Sequence, residues 1–194
     1  LHLLVASGKA DLAKLKEALL TIGRHDANLL AHLLLKPDAG GRTVLHYACI
    51  SGSAPLTRLL LALGGPRLLA TRDTSYHVSA LHVAARFGHV ECASLLLRAL
   101  LKHEGAAGSL FTSRHTTPRR DILGATPMHY ATNALQNRDE MIAALAQIDP
   151  NLLDQCAHSG YAPLHSLCMR GGATDCEVVK ALLRAGADPH KLIG

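Results

Sequence analysis

The sequence predicts an all-α solenoid in which five short two-helix units lie side by side along 194 residues. Three observations predict it. A short apolar-histidine segment recurs through the chain, and leucine and alanine recur at helical spacing between its copies. The composition is 48% apolar but 3% aromatic, with no Trp, so burial has to come from many Leu and Ala side chains in thin layers. Small helices stacked closely meet that condition.

The copies are Leu1-His2, Val44-Leu45-His46-Tyr47-Ala48, Ala80-Leu81-His82-Val83-Ala84-Ala85, Pro127-Met128-His129-Tyr130-Ala131 and Pro163-Leu164-His165. A glycine follows the apolar residue by seven in four of them, at Gly8, Gly52, Gly88 and Gly171, while Leu135 holds that place in the fourth unit. Thr43, Ser79 and Thr126 stand where a hydroxyl can cap a helix, and Pro127 and Pro163 are pre-set for a first helical turn. Each first helix is expected to run about eight residues from that cap to the glycine, which tolerates the positive φ of a tight turn.

The second helices follow from apolar residues at helical spacing: Leu12, Leu15 and Leu19; Leu56, Leu60 and Leu63; Cys92, Leu95, Leu96 and Ala99; Val178, Val179, Leu182 and Leu183. Pro55 suits a helix start and Gly186 a helix end. Gly40-Gly41, Gly64-Gly65 and Gly171-Gly172 are read as turns, since no phosphate-binding pattern follows a predicted strand. Apolar pairs at Leu29-Leu30, Leu68-Leu69, Leu110-Phe111 and Leu152-Leu153 are expected to pin the connectors to neighbouring helices.

Thr126-Pro127-Met128-His129 and Ala162-Pro163-Leu164-His165 resemble the Thr-Pro-Leu-His signature of the ankyrin repeat, and the likeness covers nearly the whole chain. The resemblance implies hairpin-like connectors between units, motif histidines that bridge the backbone of adjacent loops, and an ankyrin-repeat solenoid. Asp38 to Thr43 and Asp121 to Thr126 share the spacing Asp-x-x-Gly-x-Thr, in which the carboxylate closes the turn and the glycine takes the left-handed conformation. The expected repeats are approximately 1–36, 37–72, 73–120, 121–156 and 157–194, in a segment read as a fragment of a longer chain. The motif histidines His2, His46, His82, His129 and His165 are 44, 36, 47 and 36 residues apart, longer than the family period. Two insertions are therefore expected: a Leu-rich one from about His25 to Pro37 that extends a helix, and a polar exposed loop from about Lys102 to Arg120.

Thirteen histidines raise the question of a metal. Five belong to the motif, none lies four residues from another, and His77 and His82 have no cysteine pair beside them, so no metal site is expected. Cys49 and Cys168 replace a small residue and Cys92 a larger apolar one, and all three are read as buried hydrophobes rather than nucleophiles. No catalytic residue and no cofactor is expected. Five cysteines without a C-x-x-C pair suit a reduced compartment, expected to be intracellular and cytoplasmic, with the nucleus or a host-cell cytosol as alternatives. No apolar run is long enough to span a bilayer. A formal charge of +5 favours an acidic partner mildly, and four Tyr and two Phe leave little surface for stacking nucleic-acid bases.

The expected function is a non-catalytic, monomeric scaffold that binds another protein through connector tips and the concave face of the first helices. By the resemblance, contacts fall at the family's variable positions: Arg42, Ile50 and Ser51; Tyr76, Arg86 and Phe87; Ile122, Leu123 and Asn133; Tyr161, Met169 and Arg170. About a third of these should carry most of the energy. The alternative is a substrate-recognition domain of a larger multidomain enzyme or of a secreted effector.

Overall fold

The computed structural model describes residues 12–104, 120–170 and 175–191. The first motif copy, Gly8, Gly171, Gly172, Leu110-Phe111 and most of the polar loop after Lys102 lie outside the described residues. The helices are α1 (Leu12–His25), α2 (Ala27–Leu35), α3 (Val44–Ile50), α4 (Ala54–Leu69), α5 (Ala80–Phe87), α6 (Val90–Glu104), α7 (Pro127–Ala131), α8 (Arg138–Ile148), α9 (Pro163–Arg170) and α10 (Asp175–Ala185). A 3-10 turn, Pro150–Leu153, follows α8.

They form two rows. In the inner row α3 packs on α5, α5 on α7 and α7 on α9; in the outer row α4 packs on α6, α6 on α8 and α8 on α10. The inner row is close because its contacts are small: Ala48, Ala84 and Ala131 are fully buried, as are Cys49 and Ala85 one residue further on. The outer row brings the larger side chains, among them Leu56 and Leu60, Leu96, Leu97 and Leu100, Met141, Ile142 and Leu145, and Val178 and Leu182, all buried. Each such Leu contributes about 1.5–3 kcal/mol, and only when the neighbouring unit is in place to cover it.

Several local details differ from the sequence expectation, each for a visible reason. The Leu-rich stretch after His25 is a helix of its own: Asp26 leaves α1 in an extended conformation, and its carboxylate accepts the Leu29 N–H at 2.9 Å to start α2. That helix packs on α4 with Leu30 and Leu34, so Leu29 points outward and is 46% exposed, whereas Leu68, Leu69, Leu152 and Leu153 are buried as expected. In α4 the helix breaks at Gly65 (φ 56, ψ -157) and Pro66 opens a last turn. Cys168 is exposed rather than buried, because nothing among the described residues packs on the far side of α9.

The fourth unit departs most. Its first helix, α7, has five residues instead of about eight, because the chain turns back at Thr132 and the Leu135 amide donates to the Arg86 carbonyl at 2.9 Å. The left-handed residue before the second helix is Asn137 (φ 52), not Leu135, and its side-chain amide donates to the Gly88 carbonyl at 3.2 Å. This path runs so close to Gly88 (φ 75) that a β-carbon there would collide with the Gln136 carbonyl.

One contact repeats along the inner row. Thr43, Ser79 and Thr126 each form a capping box with a histidine three residues on, His46, His82 and His129. The ring Nδ1 accepts the backbone N–H of the cap residue at 3.2, 3.4 and 3.1 Å. Because Nδ1 accepts, the neutral ring carries its proton on Nε2 and donates it to a carbonyl of the next unit: Val78 at 3.2 Å, Ala125 at 3.2 Å and Tyr161 at 3.0 Å. In the last described unit Ala162 has no hydroxyl, and the buried Nδ1 of His165 has no partner.

Two stability outcomes are expected. Ala162→Thr restores the hydroxyl partner of His165 and should raise stability by about 1 kcal/mol, seen as a higher denaturation midpoint. Gly88→Ala should cost about 2 kcal/mol or more because its β-carbon meets the Gln136 carbonyl, and Gly65→Ala should cost a similar amount for a different reason, since the space is open but φ 56 with ψ -157 is a conformation essentially confined to glycine.

Candidate partner-binding surface

Each connector is closed from within. Asp38 Oδ1 accepts the N–H groups of Gly40 and Arg42 at 2.9 and 2.8 Å, and the Tyr47 hydroxyl donates to Oδ2 at 2.5 Å. Asp121 repeats the arrangement with Leu123 and Ala125 at 2.9 and 2.8 Å and with Tyr130 at 2.9 Å. Asp73 does the same for Tyr76 and Val78 at 3.1 and 3.0 Å. The sequence spacing finds the first two and misses the third, since Asp73 to Ser79 is 79 − 73 = 6 residues against 43 − 38 = 5 from Asp38 to Thr43. In the fourth connector Ala157 stands in the carboxylate's place, and backbone bonds to Gly160 and Tyr161 close the turn alone.

Adjacent connectors are then tied edge to edge. The Thr74 amide donates to Gly40 at 3.0 Å, Ile122 to Tyr76 at 2.9 Å and His158 to Leu123 at 2.9 Å. Arg120 reinforces the last join, donating to the Gly124 carbonyl at 2.9 Å and the Cys156 carbonyl at 2.6 Å. The tips therefore form one rank along the stack, and their outward side chains are neighbours.

The expected contact residues separate into groups. Tyr76, Ile122 and Leu123, at 59, 50 and 61% exposure, are brought together by the Tyr76–Ile122 backbone bond into one apolar ridge. Arg42 is exposed on the first connector, and Met169 is exposed on α9, apart from the ridge. Arg86 is exposed, yet its guanidinium donates to the Asn133 carbonyl, so those two meet each other. Ile50 and Phe87 are half-buried around His89, whose Nε2 contacts the Ile50 carbonyl at 3.1 Å and whose ring stacks on Phe87 with centroids 6.1 Å apart. Ser51 donates to the Ala48 carbonyl at 3.1 Å, and the Tyr161 carbonyl is the acceptor for His129. The Arg170 side chain lies outside the described residues.

The electrostatics of this face follow from the closures. Asp38, Asp73 and Asp121 are occupied by backbone amides, and among the described residues the exposed carboxylates sit on α1, at the start of α2, on outer-row helices and after α10. The hydrogen bond to Asp38 holds the Tyr47 hydroxyl above its ordinary range, and burial followed by the Asp121 bond does the same for Tyr130. Burial pushes the imidazoles of His46 and His129 down and the thiols of Cys49 and Cys92 up, which makes the rings neutral and the thiols unreactive. Among the described residues no three His, Cys, Asp or Glu side chains cluster as a metal would require, and no helix is long and apolar enough to cross a membrane.

Two rows of helices joined by histidine bridges, with closed connectors ranked along one edge, define a helical-repeat solenoid. The chain belongs to the ankyrin repeat family. The family described as ankyrin repeats (three copies) matches residues 1–106, and a single ankyrin repeat matches residues 159–192. Over 190 residues, 98% of this chain, it is 28% identical to the nuclear factor NF-kappa-B p105 subunit of Gallus gallus and covers 16% of that protein. It is 41% identical over 73 residues to the transient receptor potential channel pyrexia of Drosophila melanogaster, which is 36% of this chain and 7% of that one. The human transient receptor potential cation channel subfamily A member 1 is 27% identical over 154 residues, 77% of this chain and 12% of the channel. The chain thus spans less than a fifth of the length of these relatives, which are larger proteins. Ankyrin repeats are general protein–protein interaction modules and are typically non-catalytic.

The lowered histidines predict a pH dependence. An unfolded imidazole titrates near 6.5, whereas His46 and His129 stay neutral below that in the fold. The unfolded chain therefore binds more protons, and stability that is complete above 6.5 is lost as pH falls through that value toward the folded values. The melting temperature should be lower at about pH 5 than at about pH 7.5. NMR titration checks the cause: both rings should stay neutral below their ordinary range, and protonation at or above it would contradict the assignment.

Proposed function

We propose that this array is a non-catalytic scaffold that holds another protein along its connector tips and the adjoining first-helix face. The carrying observation is the ridge of Tyr76, Ile122 and Leu123. These are large side chains left in water by a backbone that hydrogen bonds hold fixed, so docking a partner orders little that is not already ordered. Tyr and Arg are types that tend to dominate interface energy, and Arg42 is exposed on the connector that is tied to the one carrying Tyr76. The partner is a protein with an acidic surface, met by a monomeric domain inside the cell. Of the remaining contact residues, Ile50, Ser51, Phe87 and Asn133 contribute shape more than energy, since they are half-buried within the stack.

A second reading has one observation in its favour. In each of the relatives the matched region is a small share of a much longer protein, which suits an array that serves as the recognition arm of a larger polypeptide.

A Tyr76→Ala, Leu123→Ser double variant tests the scaffold directly. Both side chains are exposed, so the melting temperature should stay within a few degrees while proteins captured by the wild-type array are bound at least about tenfold more weakly. Glu140→Ala on the outer row serves as the control and should leave capture unchanged. Equal capture by all three arrays removes the proposed surface.

A further inference from the structure

The second connector differs from the others at one backbone position. Three residues before the first helix, where the chain turns left-handed, three connectors have glycine: Gly41 at φ 80, Gly124 at φ 73 and Gly160 at φ 81. The second has His77, at φ 55. An L side chain in that region crowds its own carbonyl and persists only where the surroundings hold it. Here they do, because one oxygen of Asp73 accepts the N–H groups on both sides of it, Tyr76 at 3.1 Å and Val78 at 3.0 Å. The imidazole is exposed and the fold has no evident use for it; glycine would make the same turn with less strain.

We propose that His77 is a specificity-determining residue. With Tyr76 and the Ile122-Leu123 pair, it selects a protein segment that carries a carboxylate beside an apolar side chain. The inference rests on the connector tips being the docking surface, and it names what they select. The imidazole offers an N–H donor at a rigid tip, and the apolar ridge begins at the next residue, Tyr76, whose carbonyl is tied to Ile122. Complementarity favours an anion. Among the described residues the first four connectors and first helices expose Lys36, Arg42, His77, Arg86 and His158 but no fully exposed carboxylate, since Asp38, Asp73 and Asp121 are turned inward onto backbone amides. A segment with an acidic side chain next to a Leu or Phe can therefore satisfy donor and ridge together, whereas a purely apolar segment leaves His77 unused.

The test is a displayed random-peptide library selected on four immobilised arrays: wild type, His77→Gly, His77→Asn, and the Ile122→Ser, Leu123→Ser double variant. The wild-type array should enrich peptides that pair Asp or Glu with an apolar residue. Those peptides should bind His77→Gly about five- to tenfold more weakly although that variant melts higher. His77→Asn, which tolerates the left-handed turn but lacks the ring, should lose as much. Equal affinity for wild type and His77→Gly, enriched peptides without acidic residues, or no gain in melting temperature for His77→Gly would each overturn the role of His77. The docking ridge survives those results if the Ile122→Ser, Leu123→Ser array has lost the peptides. Peptides that bind all four arrays alike, or no enrichment on wild type, overturn the ridge and this inference together.

Discussion

The whole stack depends on a neutral imidazole that is bonded at both ends. One ring nitrogen accepts an amide at the start of its own helix, and the other donates to a carbonyl in the next unit. A helix start leaves amides without partners, and a connector buried against a neighbour leaves carbonyls without partners. The same ring settles both debts, so helix initiation and unit-to-unit spacing become a single constraint. Burial strengthens the arrangement by keeping the ring uncharged, since a proton on Nδ1 would set one donor against another.

From that constraint the remaining geometry follows in order. The bridging distance fixes how close successive connectors lie, and only small residues such as Ala48, Ala84 and Ala131 fit between first helices at that separation. Connectors this close have to satisfy their own amides in a tight turn, which the inward carboxylates of Asp38, Asp73 and Asp121 do. Their side chains are thereby removed from the surface, and what is left outside at the tips is apolar, cationic or uncharged polar. The character of the exposed face is thus partly a by-product of how the turns are held.

How much of this was readable beforehand depended on whether a residue's role was local. Thr43, His46, Gly88 and the leucines of the outer row recur at fixed places in each unit, so spacing reveals them even where their partners lie in the next unit. Asp73 escaped because one additional residue shifts it out of register. The shortening of α7 could not be read at all, since it arises from a bond between Leu135 and Arg86 that are far apart in sequence. Leu29 looked like its counterparts Leu68 and Leu152, yet its helix turns a different side to α4. For the candidate contacts, sequence position indicated which residues could face a partner but not that Tyr76, Ile122 and Leu123 adjoin while Arg86 and Asn133 engage each other. The strained backbone at His77 carried no sequence signal beyond a missing glycine.

The fourth connector and the helix that follows it lack parts that the earlier ones have. Ala157 supplies no carboxylate to its connector, Ala162 supplies no hydroxyl to its helix, and one nitrogen of His165 is left bare. In a one-dimensional stack each unit leans on its neighbours, so such a deficit sets a direction. Local opening is expected to begin at the start of α9, while the join to the unit before it keeps the His129 bridge and the two Arg120 bonds.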